Sequence, residues 1–272
     1  MSGNGIGLGL VGLGSIGTAV AEGLKRRPIP GLSLVFVAAR DVAKAEATLE
    51  RLGVEAAVLT LDETMERADL VLDCAAPAAF EGILEAAIAH RTPLATVSTG
   101  ALGRAAPLVE RAREAGCEIS VISGAILGID GLLAAAEGEI VSVGIVTRKP
   151  PLSLGGSPYV EENGIDLAAI SEPTRIFAGN ANEATRGFPS NVNVAATVAL
   201  AGVGLENTSV EIWADPTVDR NQHTLSVESD CVSFEARVAA KPSPENPKTS
   251  LLTSRSVLAW LRKHAGSLKI GT

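Results

Sequence analysis

The sequence predicts an α/β fold in which a doubly wound parallel sheet is followed by a second α+β domain with a mixed or antiparallel sheet. In the first half, short apolar runs alternate with segments of helical spacing; after Gly124, strands follow one another with few helices between them. Apolar strands separated by amphipathic helices are typical of βαβ units in a parallel sheet covered on both faces. Strands joined by short loops favour antiparallel pairing.

The elements of the first half each have a local signal. Strand-length apolar runs lie at residues 6–11, 34–39, 70–73 and 93–97. Between these runs, apolar residues recur every three or four positions, which marks one face of a helix. The clearest such set is Phe80, Ile83, Leu84, Ala87 and Ile88. This order of strands and helices predicts parallel pairing.

In the second half the apolar period changes to two. Apolar residues stand at every second position in one segment, at Val210, Ile212 and Ala214, as in a strand that has one buried and one more exposed face. Comparable segments predict strands at residues 141–147, 209–214, 224–227 and 232–238. Three prolines between residues 240 and 250 predict a connection. A final helix is predicted at residues 254–264.

Composition excludes several classes of protein. Of the 272 residues, 46% are hydrophobic, which excludes wholesale disorder. Lys+Arg 23 against Asp+Glu 31 gives a net charge of −8, so no basic surface for nucleic acid is expected. No apolar run approaches the roughly 20 residues that cross a bilayer, and no signal peptide is recognisable. We therefore expect no nucleic-acid or membrane partner and a cytoplasmic location.

The three cysteines do not form a recognisable site. Cys74, Cys117 and Cys231 lie far apart and lack CxxC spacing. This pattern argues against a zinc site or a disulfide framework and favours buried, reduced thiols. No metal is therefore expected.

A glycine-rich turn follows the first predicted strand. Residues 12–17 read Gly-Leu-Gly-Ser-Ile-Gly, and a helical pattern follows them. In Rossmann-type folds the first glycine permits the tight turn, the second lets the backbone approach a pyrophosphate, and the third lets helix and strand pack closely. The helix N-terminus then attracts the phosphates. We predict that Gly12, Gly14, Ser15, Ile16 and Gly17 bind NAD or NADP; a glycine-rich turn without a ligand is the alternative.

These signals divide the chain into three parts. Residues 1–124 are predicted to form the dinucleotide-binding domain, and residues 125–250 a domain for substrate binding, catalysis and dimerisation. Residues 251–272 are predicted to form a C-terminal helix that packs back on the first domain. The small sheet of the second domain has a face to cover, and burying such a face in a symmetric pair is common, so a homodimer is expected.

The end of the second predicted strand bears on the choice between NAD and NADP. NAD-selective sites usually offer an acidic residue to the ribose hydroxyls about 20 residues beyond the glycines. Here Arg40 precedes Asp41, and Lys44 lies one helical turn beyond Arg40. Arg40 could hold the 2′-phosphate with help from Lys44, so we predict that NADP is accepted alongside NAD. A surface ion pair of Arg40 is the alternative.

His223 is the candidate catalytic residue. Of the three histidines, His90 ends a predicted helix and His264 lies near the C-terminus, where surface roles are expected. His223 begins a predicted strand among polar residues that could set its tautomer. An imidazole, whose ordinary pKa is about 6.5, can deprotonate an amine or activate a water molecule. From these residues alone, a structural role for His223 stays open.

Several motifs resemble the L-aspartate dehydrogenase family. They are Phe-Pro-Ser-Asn-Val-Asn-Val-Ala-Ala at residues 188–196, Asp-Pro at 215–216 followed by Asn-Gln-His at 221–223, and Asn-Pro-Lys-Thr-Ser at 246–250. Residues 123–125 and 147–151 are also similar. The resemblance implies NAD(P)-dependent oxidation of L-aspartate to iminoaspartate, which hydrolyses to oxaloacetate and ammonia, or the reverse reductive amination. Iminoaspartate can feed nicotinamide-cofactor biosynthesis.

The resemblance also implies roles for individual residues. His223 would be the active-site residue, and Ala125 and Asn191 would contact the nicotinamide end of the cofactor. Asn191 or Asn193 could instead cap the helix that begins beside them. A dicarboxylate substrate also requires cationic partners. Those available in the second half are Arg148, Lys149, Arg175, Arg186, Lys241 and Lys248.

Two other interpretations compete with this one. Another two-domain NAD(P)-dependent reductase of a small carboxylate, such as a dihydrodipicolinate reductase, would have paired histidines followed by a lysine, and a sugar dehydrogenase would have Glu-Lys-Pro. The sequence has neither motif. A non-catalytic NAD(P)-sensing module would tolerate the loss of His223. Because the segment around His223 is intact, the enzyme is favoured.

Overall fold

The computed structural model describes residues 5–189, 192–243 and 250–271. The strands are β1 (Ile6–Val11), β2 (Leu32–Ala38), β3 (Ala57–Leu59), β4 (Leu70–Asp73), β5 (Leu94–Thr96), β6 (Ile119–Val121), β7 (Ile140–Lys149), β8 (Thr174–Asn180), β9 (Thr208–Ala214), β10 (Gln222–Ser229) and β11 (Ser233–Ala239). The helices are α1 (Ser15–Arg26), α2 (Val42–Leu52), α3 (Leu61–Arg67), α4 (Phe80–His90), α5 (Thr99–Arg104), α6 (Ala106–Ala115), α7 (Ile129–Ala135), α8 (Pro158–Glu162), α9 (Ala181–Gly187), α10 (Asn193–Ala201) and α11 (Leu251–Ala265). No helix within the described ranges is long and apolar enough to span a bilayer.

Contacts group the described residues into two compact units. The first contains the residues up to Ser98, Ala105–Ile122 and Thr253–Ile270. The second contains Thr99–Arg104, Ser123–Leu252 and Gly271. Helix α5 therefore groups with the second unit, although it lies within residues 1–124, and most of α11 groups with the first.

The first unit is built on a six-stranded parallel sheet in the order β3-β2-β1-β4-β5-β6. The predicted doubly wound parallel sheet is confirmed. Strand β4 is buried along its whole length, and β1 over its last four residues, as expected of strands covered on both faces. After β3 the chain crosses to the other side of β1. The carboxyl ends of β1 and β4 thus flank the topological switch point, where such sheets bind ligands.

Helix α11 belongs to the core of the first unit. Its residues Val257 and Leu261 are fully buried among the apolar side chains of that core. Leu258 lies so close to Gly23 of α1 that a Cβ at Gly23 would be 2.4 Å from Leu258 Cδ1. The Arg262 guanidinium donates hydrogen bonds to backbone carbonyls at the end of α1 and just beyond it. Apolar packing and these bonds together hold the helix in place.

The second unit is built on a five-stranded sheet in the order β11-β10-β7-β9-β8. Strands β7 and β9 pair in parallel and the other neighbours pair antiparallel, which makes the sheet mixed. This confirms the predicted second sheet. Alternate residues of β7, β9 and β10 are buried and pack with the helices of this unit in one core. Tyr159, Phe177 and Phe188 form an aromatic cluster in that core, with ring centroids 5.3–5.6 Å apart.

The other face of this sheet is less covered. Val146 and Arg148 of β7 and Glu211 and Trp213 of β9 are only partly buried there. We call the face that carries these four residues the open face. The Arg148 guanidinium lies over the Trp213 ring, 4.5 Å from its centroid.

Local patterns located most strands, with three exceptions. The strands predicted at residues 6–11 and 70–73 are found at those bounds, and the ends of the other predicted strands differ by at most two residues. Strands β3, β6 and β8 were not predicted. The first two have three residues each, too few to show a period, and a register shift between Arg175 and Phe177 interrupts the alternation of β8.

One prediction about the thiols is wrong. Cys74 and Cys117 are buried as expected, but Cys231 is exposed, because it lies in the turn that joins β10 to β11. The predicted connection at residues 240–250 includes a bridge between Pro242 and Ser250. Its residues 244–249 lie outside the described residues.

Candidate active site

Gly12 turns the chain immediately after β1. Its φ is +91°, in the left-handed region that favours glycine. The carboxyl end of β4 also leaves no room for a side chain, because a Cβ at Gly12 would lie 2.9 Å from the Cα of Ala75. The Gly12 amide donates to the carbonyl of Ala38 at 2.8 Å. Contacts with the ends of both β2 and β4 therefore fix the position of the turn.

Gly17 and Gly14 differ sharply in their surroundings. A Cβ at Gly17 would lie 2.0 Å from the carbonyl oxygen of Gly12, so helix α1 can approach the turn only with glycine there. Gly14 is exposed, and a Cβ at this position would meet nothing within 4 Å. The contact at Gly17 is internal to the fold. At Gly14, in contrast, the turn offers backbone next to open space, which is the arrangement that a pyrophosphate requires.

Helix α1 begins at this turn. Ser15 and Ile16 are its first residues, and Ile16 packs against the core of the first unit. The N-cap residue is Gly14, which has no side chain to cap the first amides. Amides at a helix N-terminus, together with the helix dipole, attract anions. The start of this twelve-residue helix is therefore suited to phosphate oxygens.

Asp73 forms a buried polar network that the sequence did not reveal. Its carboxylate ends β4 and accepts hydrogen bonds from the amide of Ala75 at 2.9 Å and from the hydroxyl of Thr96 at 2.8 Å. Burial raises the pKa of Asp73, whereas hydrogen bonds from Ser98, Ala75 and Thr96 oppose the rise. The network ties the ends of β4 and β5 to the segment that packs against Gly12. The only local signal is an aspartate that closes an apolar run.

Arg40 lies two residues beyond β2 and is exposed. Asp41 is the N-cap of α2, and its carboxylate accepts from the Lys44 amide at 3.0 Å. Within the described residues, the structure gives Arg40 no ion pair. The Asp41 carboxylate thus has a local structural role. The guanidinium of Arg40 and the ammonium of Lys44 both lie at the surface.

His223 lies on the covered face of the second sheet and is 4% exposed. It pairs in register with Thr147 of β7, and its Nδ1 lies 3.0 Å from the Thr147 hydroxyl. Burial, and secondarily the positive charge of Lys149, lowers the pKa of His223 from 6.5 to about 3. The imidazole is therefore neutral at neutral pH, and Thr147 holds its orientation.

Lys149 and Arg148 are neighbours in sequence, but they lie on opposite faces of β7. Lys149 is buried on the face that carries His223, whereas Arg148 lies on the open face. Arg148 Nη1 donates to the Asp215 carboxylate at 3.2 Å. Burial raises the pKa of Asp215, but hydrogen bonds from Thr217 and Arg148 outweigh this effect and hold the pKa below its usual value. Asp215 thus anchors Arg148 and the loop after β9.

The family resemblance implies that two residues contact the nicotinamide, and the structure describes one of them, Ala125. Ala125 is buried in the loop between β6 and α7, next to Gly124, whose φ is +65°. Asn191 lies outside the described residues. Asn193 is the first residue of α10, and its side-chain oxygen accepts from the Gly100 amide at 3.0 Å, so it joins α10 to α5 and does not cap its own helix.

Within the second unit, the structure brings His223, Thr147 and Lys149 together. The sequence offered Lys149 as one of six cations and Thr147 as part of a motif, with no reason to prefer either. The period of two along β7 places both on one face, but that period does not say which face is covered. In the parts of the chain that the structure describes, no group of three or more His, Cys, Asp or Glu side chains could hold a metal ion.

Comparison with known proteins identifies the family of this chain. Residues 130–264 match the family model described as aspartate dehydrogenase, C-terminal, and residues 12–121 match the NAD binding domain of homoserine dehydrogenase. An L-aspartate dehydrogenase of Bradyrhizobium diazoefficiens is 45% identical over 97% of this chain and 93% of its own length. The chain belongs to the aspartate dehydrogenase family. L-aspartate dehydrogenase 3 of Bordetella bronchiseptica, another relative, is 39% identical over 98% of both chains.

The fold of the family is also found among solved structures. The crystal structure of aspartate dehydrogenase from Thermotoga maritima matches with a TM-score of 0.71 and 23% identity over 98% of this chain and 99% of that chain. A myo-inositol dehydrogenase from Lactobacillus casei, in complex with NAD(H) and myo-inositol, matches with a TM-score of 0.52 and 14% identity over 96% of this chain and 84% of that chain. At these identities, the likeness concerns the fold.

The three replacements Gly14→Ala, Gly17→Ala and Gly82→Ala should have different effects. Gly17→Ala is expected to lower the melting temperature of the nucleotide-free protein, because its Cβ would meet the carbonyl oxygen of Gly12. Gly14→Ala should leave that temperature nearly unchanged but weaken NADH binding about 10-fold, because the methyl group enters the space predicted for the pyrophosphate. Thermal unfolding and fluorescence titration with NADH measure the two effects.

Gly82→Ala is the matched control for this pair. Gly82 is an exposed residue of α4 whose Cβ would meet nothing within 4 Å, so its replacement should leave NADH binding unchanged. Unaltered NADH affinity in Gly14→Ala would contradict the placement of the cofactor at this turn.

Proposed function

We infer that this chain is an NAD(P)-dependent L-aspartate dehydrogenase. It would oxidise L-aspartate to iminoaspartate, which hydrolyses to oxaloacetate and ammonia, or catalyse the reverse reductive amination. The observation that carries this inference is the full-length similarity to L-aspartate dehydrogenases, 45% and 39% identical over nearly the whole chain. The glycine turn and the buried His223 are the groups that such a reaction would use. Iminoaspartate from this reaction could enter nicotinamide-cofactor biosynthesis.

The first unit would hold the cofactor. When bound, the nicotinamide accepts the hydride from the substrate, and the protein has to bind and orient it. We propose that Gly12, Gly14 and Gly17 form the turn over which the pyrophosphate lies, and that the first amides of α1, at Ser15 and Ile16, donate to its oxygens. Ala125 and Asn191 are proposed to contact the nicotinamide end, on the basis of the family resemblance.

The second unit would move the protons. Aspartate must lose a proton from its ammonium before a hydride can leave Cα, and the imine must then add water. We propose that His223 accepts and returns these protons through Nε2, since Nδ1 is engaged by Thr147. With a pKa of about 3, the imidazole is a weak base in the free protein. A substrate carboxylate near Lys149 would offset the positive charge and raise that pKa toward the range useful for catalysis.

Turnover of aspartate is the direct test of this function. The wild-type protein should reduce NAD⁺ or NADP⁺ when L-aspartate is added, and should do so far more slowly with glutamate or alanine, as followed by the absorbance of the reduced nicotinamide. His223→Gln should lower kcat about 100- to 10,000-fold, the usual contribution of a positioned acid–base group. His90→Gln changes an exposed histidine in the same way and should retain wild-type turnover.

Either of two results would contradict this function. Absence of turnover with any amino acid would favour a cofactor-sensing module, and wild-type turnover in His223→Gln would remove the proposed acid–base residue.

We further propose that NADP is accepted alongside NAD, through Arg40. This residue is exposed beyond β2, where the ribose of a dinucleotide is expected, and Lys44 lies one helical turn further on. A guanidinium matches the geometry of a phosphate better than an ammonium does. The adjacent Asp41 is occupied as the cap of α2. It is therefore less suited than a free carboxylate to select NAD through the ribose hydroxyls.

Arg40→Ala should weaken NADPH binding about 10- to 100-fold and leave NADH binding within about twofold, because only NADPH carries the 2′-phosphate. Titration of each nucleotide against the protein measures both affinities. Arg51→Ala, which removes an exposed arginine from the last turn of α2, is the control and should change neither affinity. Equal NADPH affinity before and after Arg40→Ala would refute the assignment.

We also propose that the protein works as a homodimer in the cytoplasm. The open face carries Trp213 and Val146, partly buried side chains that a symmetric partner could cover. Cys74, Cys117 and Cys231 are all free thiols, as is usual in a reducing compartment. Light scattering should give a molar mass twice that of the 27.8 kDa chain, and a monomeric mass would refute the dimer.

A further inference from the structure

Lys149 is the most unusual cation of the second unit. It is 4% exposed, and among the described residues no other lysine or arginine is buried to this degree. Charged groups buried in proteins are paired or coordinated. An ammonium placed beside a candidate catalytic residue can contact a carboxylate of a bound substrate.

Strand geometry places Lys149 on the same face of the sheet as His223. Thr147 pairs in register with His223, and Lys149 lies two residues further along the same strand. Residues two apart on a strand point to the same face, with Cα atoms about 6.5–7 Å apart. The charge of Lys149 also acts on the imidazole, since it contributes to the low pKa of His223. The ammonium and the imidazole thus share one electrostatic environment.

The other described cations of this unit that the sequence offered are placed differently. Arg148 is on the open face and bonded to Asp215. Arg175 is exposed and paired with Glu211, 2.9 Å away. Arg186 and Lys241 are exposed. None of these four lies buried beside His223 on the covered face.

We propose that Lys149 binds a carboxylate of the dicarboxylate substrate next to His223. This assignment rests on the proposed function, because it takes the substrate to be aspartate. The ammonium would donate charge-assisted hydrogen bonds to the carboxylate, which are strong where water is largely excluded. The same contact would hold the substrate amine within reach of the imidazole. Lys149 is thus a substrate-binding residue, and His223 transfers the protons.

Binding of succinate tests the assignment without turnover. Succinate has two carboxylates but no amine to oxidise, and its affinity can be measured by calorimetry with NAD⁺ bound. Lys149→Met is expected to weaken succinate binding about 10- to 100-fold. Lys149→Gln, which keeps a polar side chain of similar length without the charge, should weaken it similarly. Lys269→Met, which removes an exposed lysine, should bind succinate as the wild type does.

NADH affinity distinguishes a loss of substrate binding from a loss of the folded structure. Both Lys149 variants should keep NADH affinity within about twofold of wild type. Their loss of kcat/KM for aspartate should appear mainly in KM. Wild-type succinate affinity in either variant overturns the assignment. Joint loss of succinate and NADH binding in both variants also overturns it, because Lys149 would then be a structural residue.

The same measurements distinguish failure of this assignment from failure of the proposed function. If the wild-type protein does not oxidise aspartate, the proposed function fails, while succinate binding by wild type and Lys149→Met still decides whether Lys149 is a carboxylate site. If aspartate is oxidised and succinate binding is independent of Lys149, only the assignment of Lys149 fails.

Discussion

The pairing of β7 with β10 is the constraint on which the candidate catalytic group depends. This register sets Thr147 opposite His223, and the pleat of β7 puts Lys149 on the same face. Because side chains alternate along a strand, a slip by one residue would turn all of these groups to the open face. The register is strongly specified, since the same face buries Ile145 and Leu225 in the core. The register that packs the core therefore also places the site residues on the covered face.

Burial gives the site its electrostatic character. The His223 imidazole is kept neutral because its charged form would lose hydration and would face the positive charge of Lys149. A group in this state is not poised to accept a proton in the free protein. Arrival of an anionic substrate would change the balance of charge around the imidazole. If Lys149 binds the substrate as proposed, its charge is offset and the smaller of the two causes of the low His223 pKa weakens, while burial, the larger cause, stays.

The first unit is proposed to bind an anionic cofactor, although the net charge of the chain is −8. Local features of the glycine turn favour such binding. Gly17 lets helix α1 pack against the turn, and Gly14 leaves open space at the helix start, where amides and the helix dipole face outward. Asp73 is buried close to this turn, but its carboxylate is held by hydrogen bonds within the protein. The net charge of the chain therefore does not describe the local environment of this turn.

The sequence by itself determined the features that depend on neighbouring residues. Apolar periods of two and of three to four predicted the parallel sheet and a second, mixed or antiparallel sheet. Glycine spacing predicted the turn, and polar neighbours drew attention to His223. Motifs in the second half indicated the family. Short strands such as β3 were missed because three residues show no period.

Only the tertiary structure decided which side chains are buried together. From sequence, Arg148 and Lys149 were equivalent candidates for a carboxylate, and Asp73 was an unremarkable strand end. Their roles depend on which face of β7 the helices cover and on how β4 and β5 end side by side. A local period says which residues share a face; which face becomes buried is set by contacts between segments far apart in the chain.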